Sequence, residues 1–324
     1  MEKPNSSIFS SDFLKFIRAA GIFSILTLVW YVTIMFISAK ITISDIPLSN
    51  FYAEYYSIKG GDTYLRYSEF DASDDFNVLV FGSSHAYRSY DPRIFKKNNL
   101  KMYNLGSSGQ SMNDTYMVIS EILSMNKPRY IIVDLTPGAF ESDGIESSSK
   151  LITNLNSVQF KRKILFNNLD WRMVNVYVSG LFNDTPPKPF KASINNGKYI
   201  NGGYVEIQKQ CSKKYNYKSI GKSYEPNEKN EEAFHSLITF LTENKIKTYF
   251  VLHPIPLGTN RTENSRFIEY IQKTIKGRNE ITLIDFSFRH HLNETDNFYD
   301  HHHLNQSGTN FFNEKLISEL EYSN

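Results

Sequence analysis

Short apolar runs alternate with helical patterns over residues 77–320 of the chain. Five runs rich in branched or aromatic residues are predicted to be strands: NVLVF (77–81), KMYNL (101–105), RYIIVDL (129–135), KTYFVL (247–252) and ITLIDF (281–286). Most are apolar throughout rather than alternating with polar residues. This pattern is typical of strands that are buried on both faces of a parallel sheet.

Apolar residues recur at helical spacing between these runs. Phe234, Leu237, Ile238 and Leu241 follow the i, i+3, i+4, i+7 pattern of an amphipathic helix. Similar patterns occur over residues 117–123, 267–275 and 311–320. Alternating strands and helices predict an α/β fold of three layers, with helices on both faces of a mainly parallel sheet.

A longer apolar segment, residues 19–39, precedes this alternation. It carries no charge, and at about 1.5 Å per residue it spans roughly 30 Å, the thickness of a bilayer core. Lys3, Lys15 and Arg18 precede it and only Lys40 follows closely, which predicts a cytoplasmic N-terminus (residues 1–18) and an exported remainder. A cleaved signal peptide is the alternative, but it would need a better small-x-small cleavage site. We expect a transmembrane anchor.

The exported part divides into a short connection and one long domain. Residues 40–75 are expected to form a stalk, and residues 76–324 an α/β domain. Residues 141–227 interrupt the strand–helix rhythm with a stretch rich in Ser, Asn, Lys and Tyr. We interpret this stretch as an insertion after the third strand, placed to form a cap that contacts substrate.

Composition narrows the possible functions. The 324 residues include 36 Lys and Arg against 34 Asp and Glu, a net charge of +2, which argues against nucleic-acid binding. Cys211 is the one cysteine, so an intramolecular disulfide or a zinc site with several thiolates is excluded. An apolar fraction of 40% is sufficient for a packed core.

Candidate catalytic residues follow three of the predicted strands or precede the last helix. Ser84 follows the first strand and Gly82, at a turn whose backbone N–H groups suit an oxyanion. Gly109 lies in a Gly-Ser-rich loop after the second strand, where a backbone N–H can approach a substrate. Asp300 and His303 lie near the C-terminus, with spacing that lets the carboxylate orient a general base.

Each of these features has a plain structural alternative. The two glycine-containing segments are also consistent with tight turns that lead into helices. His301, His302 and His303 could form a metal patch, but consecutive side chains point in different directions and rarely bind one ion. They could also be ordinary surface residues.

Together, the order and spacing of these motifs resemble the SGNH/GDSL hydrolase superfamily over roughly residues 77–321, without the insertion. The resemblance implies a flavodoxin-like α/β/α fold. It places Ser84 on the family's nucleophile, Gly109 beside the Ser84 N–H in the oxyanion hole, and Asp300 and His303 on the Asp-x-x-His motif. One departure is clear: the third block, Gly-x-Asn-Asp in the family, is replaced here by residues 133–138, VDLTPG, which contain no Asn.

Membrane-anchored members of this superfamily, such as teichoic acid D-alanylation protein D and alginate acetylation proteins, are similar in layout. This resemblance implies an O-acyltransferase or esterase of the bacterial cytoplasmic membrane, with its domain outside, that acts on an envelope polysaccharide through an acyl-serine. The expected partners are an acyl ester donor, the glycan and a membrane-bound O-acyltransferase, without a metal or cofactor. A stand-alone esterase or lipase and a non-catalytic glycan-binding protein are the alternatives.

Four further residues were weighed as parts of the site. His253 follows the fourth strand and is a candidate substrate contact, or a packed strand-end histidine. Arg88 and Arg93 could bind an anionic polymer or be solvated, and Asp91-Pro92 between them predicts a helix start. His85 is expected to point away from the site because it is adjacent to Ser84.

Overall fold

Five parallel strands form the centre of the fold in a computed structural model that describes residues 11–190, 197–211, 224–259 and 261–322. The strands of the described chain are β1 (Thr42–Ile43), β2 (Ile46–Pro47), β3 (Val78–Phe81), β4 (Met102–Asn104), β5 (Tyr130–Asp134), β6 (Lys198–Ile200), β7 (Tyr204–Glu206), β8 (Thr248–Leu252) and β9 (Ile281–Asp285). The central sheet has the order β4-β3-β5-β8-β9. This is the flavodoxin-like order, and all five predicted strands are confirmed.

Helices cover both faces of this sheet. They are α1 (Ser11–Lys40), α2 (Gly61–Glu69), α3 (Ser84–Ser89), α4 (Pro92–Lys97), α5 (Met112–Leu123), α6 (Pro137–Glu141), α7 (Ile145–Asn154), α8 (Val158–Asn167), α9 (Trp171–Phe182), α10 (Glu228–Glu243), α11 (Arg261–Ile275), α12 (Glu294–Asn297) and α13 (Gln306–Tyr322), with a 3₁₀ helix at Leu48–Ser57. The four helices expected from apolar periodicity correspond to α5, α10, α11 and α13.

The strands contribute side chains to two separate cores because successive residues point to opposite faces. Leu79 and Phe81 of β3 pack with buried residues of α5, α10 and α11 on one face. Val78 and Val80 pack with buried residues of α4 and α13 on the other. The predicted arrangement of helices on both sides of a parallel sheet is therefore confirmed.

Residues 41–75, expected as a stalk, are packed against the domain instead. Arg66 of α2 is fully buried, pairs with Asp62 at 3.2 Å and donates through Nε to the Gly203 carbonyl at 2.9 Å. Its guanidinium lies 4.6 Å from the centre of the Tyr87 ring. A buried arginine needs such partners, and their supply from distant segments fixes α2 to the body of the protein.

Residues 141–227 contain three helices and a hairpin. Buried residues of α7, α8 and α9 join the core that contains α5 and α10. The buried Asp114 of α5 accepts hydrogen bonds from Ser148 of α7 at 2.9 and 3.0 Å and from Asn168 at 3.1 Å. Burial raises the pKa of Asp114, against these hydrogen bonds, which lower it. The predicted insertion is thus anchored in the core beside the sheet.

Helix α1 includes the apolar segment 19–39. Residues 12–40 form one helix that is long and apolar enough to cross a membrane, and few of its residues are buried in the protein. The exceptions are at its C-terminal end, where Met35 and Ala39 are buried. A helix of this length and composition suits either a membrane span or a signal sequence.

Candidate active site

A cavity of about 670 Å³ lies at the carboxyl ends of the central strands. Its lining includes Ser84 after β3, Gly109 after β4, Thr136 after β5 and His253 after β8. The strand order reverses between β3 and β5, and crevices at such switch points are where open α/β sheets bind ligands. The fold therefore places the candidate residues from four separate segments around one space.

Ser84 is positioned by a sharp turn between β3 and α3. Gly82 adopts φ +140°, which only glycine adopts readily, and a Cβ added there would lie 2.7 Å from the Asp134 carbonyl oxygen. Ser83 follows in extended conformation, and Ser84 is the first residue of the helix. This geometry directs the Ser84 side chain into the cavity edge.

His303 is positioned by a turn just before α13. The Asp300 carboxylate accepts hydrogen bonds from the backbone N–H groups of His302 at 2.9 Å and His303 at 2.8 Å. An antiparallel bridge between Phe298 and Leu304 closes the base of the turn. The Asp-x-x-His spacing therefore forms a compact loop that holds carboxylate and imidazole together.

Ser84, His303 and Asp300 form one chain of hydrogen bonds. Ser84 Oγ lies 2.8 Å from His303 Nε2, and His303 Nδ1 lies 2.8 Å from Asp300 Oδ2. The carboxylate can only accept, so we assign the ring proton to Nδ1. Nε2 is then free to accept the Ser84 hydroxyl proton, which is the arrangement a serine nucleophile needs.

Burial and charge set the protonation of this pair. Burial lowers the pKa of His303 to about 4, although its hydrogen bond to Asp300 acts to raise it. Burial acts to raise the pKa of Asp300, but the hydrogen bond and the charge of His303 hold it below the usual range. At neutral pH His303 is therefore neutral and Asp300 ionised, as a general base and its orienting group must be.

Arg88 lies behind His303 rather than on the open surface. Its guanidinium donates to the Tyr299 hydroxyl, and one of its nitrogens lies 3.4 Å from His303 Nδ1. Its positive charge contributes to the lowered pKa of His303. Arg93 pairs with Asp91 and Glu206, and Asp91 caps α4 as predicted, accepting from the Arg93 N–H at 2.9 Å.

His85 faces the site, so the expectation that it points away was wrong. Its ring stacks on His253 at 4.1 Å and on His303 at 4.6 Å between centroids, and it lines the cavity. Adjacent helical residues differ in direction by only about 100°, which leaves room for a large ring to turn toward the same space. Burial, followed by the neighbouring histidines, lowers the pKa of His85 well below its usual value.

His253 combines both interpretations weighed from the sequence. It is a packed strand-end residue whose Nδ1 lies 3.0 Å from the Asp134 carboxylate, which also accepts from the Tyr90 hydroxyl at 2.7 Å. It also lines the cavity, and its buried Nε2 has no hydrogen-bond partner among the described residues. An unpaired buried polar atom beside a cavity is available to a bound molecule.

Gly109 lies beside Ser84 in the cavity wall with φ +62°. A Cβ at this position would lie 2.6 Å from the Glu146 carboxyl group, so the loop requires glycine. The Ser108 hydroxyl donates to Glu146 at 2.7 Å and ties the loop to α7. The backbone at Gly109 is thus fixed close to the nucleophile, as a candidate oxyanion donor must be.

The cavity also includes residues that sequence reasoning missed. Tyr56 comes from the 3₁₀ helix, Thr136 from the turn after β5, Glu146 from α7 and Arg172 from α9. Thr136 lies in the segment where an Asn was missing. Pocket residues from the 3₁₀ helix, α7 and α9 carry no recognisable motif, so their contribution becomes visible only when the chain is folded.

Histidine clusters border the same space. Ligand atoms of His85, His302 and His303 lie within 4.8 Å of one another, as do those of Asp300, His301 and His302. Both ring nitrogens of His303 already contact Ser84 and Asp300. A metal on His303 would displace one of these contacts, so the geometry favours proton transfer over metal binding at this residue.

No protein-family model matches the sequence, and no curated protein matches it. Solved structures that resemble the chain are hydrolases of GDSL type and esterases. A GDSL-family lipolytic protein from Desulfitobacterium hafniense is 12% identical, with 74% of this chain and 97% of that chain covered and a TM-score of 0.39. A GDSL-like lipase from Bacteroides thetaiotaomicron is 12% identical, with 80% and 98% covered and a TM-score of 0.38.

A family two carbohydrate esterase from Clostridium thermocellum is also similar, at 10% identity over 78% of this chain and 66% of that chain, with a TM-score of 0.40. These similarities are distant. The chemistry of this chain is therefore inferred from its own residues and their geometry.

Proposed function

We propose that the chain is a membrane-anchored serine O-acyltransferase or esterase of SGNH type that acts on an envelope polysaccharide. The observation that carries the proposal is the Ser84–His303–Asp300 hydrogen-bond chain at the edge of a large cavity. Neutral His303 and ionised Asp300 at ordinary pH provide the base that a serine nucleophile requires.

Acylation begins when His303 Nε2 removes the Ser84 hydroxyl proton and Oγ attacks the carbonyl carbon of an ester. Negative charge develops on the carbonyl oxygen, which the backbone N–H groups of Ser84 and Gly109 stabilise. Asp300 stabilises the imidazolium that forms. His303 then gives its proton to the departing alcohol, and an acyl-Ser84 ester remains.

Deacylation repeats these steps with a different nucleophile. His303 takes a proton from water or from a sugar hydroxyl, whose oxygen attacks the acyl carbon. The proton returns to Ser84 Oγ as the ester breaks. Water gives hydrolysis and a sugar gives acyl transfer, so the same residues serve an esterase and a transferase.

Anchoring favours the transfer reaction. A helix that holds the site at the membrane raises the local concentration of membrane-bound donors. Met35 and Ala39 of α1 are buried against the domain, so cleavage after residue 39 would remove part of its packing, which supports an uncleaved anchor. We propose a membrane-bound O-acyltransferase as the partner that supplies the acyl group.

A fluorophosphonate probe tests the nucleophile directly. Full-length protein in detergent should be labelled, and Ser84→Ala should abolish labelling. Ser83→Ala is the matched control: its hydroxyl lies 3.4 Å from the His85 ring rather than beside His303, so labelling should persist. Absence of labelling in the natural chain would favour a non-catalytic binding protein. Label that survives Ser84→Ala would also refute the mechanism.

The esterase alternative is separated by partner dependence. Acyl transfer to a glycan should require the co-expressed membrane acyltransferase, whereas hydrolysis of a soluble ester should not. Efficient hydrolysis that is unchanged by partner and glycan would favour the stand-alone esterase.

A further inference from the structure

The C-terminal third of α1 packs alongside α9 in the same direction. Tyr31 donates a hydrogen bond to Asn175 at 2.9 Å, and the Phe36 ring meets Phe182 edge to face at 5.5 Å. By contrast, residues 21–30 of α1 are exposed on all sides. The domain therefore covers about 12 Å of the apolar segment 19–39, the rise from Tyr31 to Ala39.

This packing fixes the height of α9 relative to the apolar segment. If residues 19–39 lie in the bilayer, α9 must reach the outer boundary of the hydrocarbon region rather than remain in water above it. Trp30 and Tyr31, which lie in the middle of the apolar segment, are then close to that boundary. Tryptophan and tyrosine are enriched at such membrane–water interfaces.

Apolar side chains are exposed on the domain next to this contact. Tyr52 of the 3₁₀ helix is 65% exposed, Leu169 71% and Trp171 56%. The Tyr52 and Trp171 rings contact each other, with centroids 4.7 Å apart. We call Phe51, Tyr52, Leu169, Trp171 and Leu181 the aromatic face; all five are exposed apolar side chains. Burial of such a group in water-free surroundings is favourable, and lipid is continuous with it through α1.

The aromatic face adjoins the catalytic cavity. Arg172 follows Trp171 directly and lines the cavity, as does Tyr56 of the 3₁₀ helix. Tyr56 also contacts Tyr55, with ring centroids 4.1 Å apart. The same two elements that present the apolar surface therefore form part of the cavity wall.

From this arrangement we propose that the aromatic face lies in the outer interface of the bilayer, and that the cavity receives an acyl ester carried by a membrane lipid. The substrate part rests on the proposed function, whereas the membrane contact does not. In the first step Ser84 Oγ bonds to the acyl carbon and the ester bond to the lipid breaks. The Ser84 proton passes through His303 to the lipid oxygen, which leaves as a lipid alcohol.

The two tryptophans of the chain allow a direct test of membrane depth. Trp30→Phe leaves Trp171 as the single tryptophan of full-length protein, reconstituted in phosphatidylcholine vesicles. Bromine atoms on the upper part of the lipid acyl chains should quench its emission, and aqueous iodide should not. Trp171→Phe leaves Trp30 as the reference for an inserted α1.

Quenching of Trp171 by iodide, but not by brominated lipid, would overturn the membrane contact. That result in pure lipid would indicate a surface reserved for a protein partner. Failure of brominated lipid to quench Trp30 as well would mean that α1 does not cross the bilayer, which overturns the proposal at its base.

Activity tests the substrate. Leu169→Glu should lower cleavage of a phospholipid ester in vesicles about tenfold or more, and leave cleavage of soluble p-nitrophenyl acetate unchanged. Met125→Glu is the matched control: Met125 is an exposed apolar side chain at the opposite end of the sheet, before β5. Equal rates for both variants on vesicle ester would refute a lipid substrate. No cleavage of either ester by natural protein would refute the proposed function, but would leave the fluorescence result intact.

Discussion

At the scale of single residues, the reactivity of Ser84 depends on which nitrogen of His303 carries the proton. Asp300 Oδ2 accepts from Nδ1–H, and Asp300 Oδ1 accepts the two backbone N–H groups that shape the turn. One carboxylate therefore fixes both the ring orientation and its tautomer. This double role explains why the carboxylate lies three residues before the histidine.

Asp300→Asn should keep the turn and lose the chemistry. The amide oxygen can still accept the backbone N–H groups, but an amide NH₂ facing Nδ1 favours the wrong tautomer. We expect kcat to fall on the order of 10⁴-fold, with little change in thermal stability. Asp296→Asn, a nearby carboxylate on α12, should retain activity. A loss below tenfold in steady-state kinetics of Asp300→Asn would contradict the assignment.

The acid limb of the pH profile should lie unusually low. His303 acts as a base only when neutral, and its pKa is lowered to about 4. Activity should therefore rise with pH through about 4 and stay level through neutrality. The measurement is kcat/KM on a soluble ester as a function of pH. A midpoint near 6.5 would show that His303 is not shielded from water in the free protein.

Ser84, Asp300 and His303 could be predicted because serine turns and Asp-x-x-His spacing are local features. Their hydrogen bonds in the folded chain agree with that spacing, although their catalytic roles stay predictions until tested. The position of His85 could not be inferred, since it depends on the stacking of its ring on His253. Glu146 was missed because its contact with Ser108 joins segments that are far apart in the sequence.

At the scale of elements, the turn between β3 and α3 is the most constrained part of the site. Gly82→Ala places a Cβ 2.7 Å from the Asp134 carbonyl oxygen at φ +140°. Strain of this kind costs about 1–3 kcal/mol, and relaxation of the turn would also move Ser84. Both the melting temperature and the rate of fluorophosphonate labelling should fall.

Gly138→Ala is the matched control for that change. Gly138 lies in α6, and a Cβ there meets nothing within 4 Å. Alanine in a helix is favoured over glycine by roughly 0.5–1 kcal/mol, so the melting temperature should stay level or rise. Equal destabilisation by both substitutions would contradict a specific steric role for Gly82.

The strands of the central sheet could be predicted because each is a continuous apolar run. The packing of residues 41–75 could not be. Its polar and aromatic composition suggested a stalk, whereas Arg66 is stabilised by Asp62, Gly203 and Tyr87, and two of these partners lie in other segments. The three helices within residues 141–227 were likewise concealed by polar residues, which here form the network around Asp114.

At the scale of the whole molecule, neutral buried histidine makes stability depend on pH. The unfolded chain protonates His303 below about pH 6.5, whereas the folded protein does so only near 4. Between these values the unfolded state binds more protons, so the stability contributed by this residue is lost as pH falls from 6.5 to 4. The melting temperature should decline across this window.

His303→Asn tests this linkage. Asparagine does not titrate and can still donate a hydrogen bond to Asp300. Its melting temperature, measured in detergent over the same pH range, should decline less steeply than that of the natural chain. Parallel curves for the two proteins would contradict the lowered pKa.

The whole molecule also explains why one site draws on so many segments. The parallel sheet brings the ends of β3, β4, β5 and β8 to one edge, and the turn before α13 returns His303 to Ser84 from 219 residues away. The 3₁₀ helix, α7 and α9 complete the cavity from another side. The account thus combines a serine nucleophile, its base and a cavity next to the proposed membrane surface.

Acid-quench mass spectrometry tests the central claim, an acyl-Ser84 intermediate, most directly. Full-length protein is mixed with an activated acetyl ester and quenched within the first turnover, since acid protonates His303 and halts deacylation. The account predicts an added acetyl group on the peptide that carries Ser84, localised to that residue by fragmentation, and none in Ser84→Ala. Product formation without this adduct, or an adduct on Ser83 instead, would contradict it.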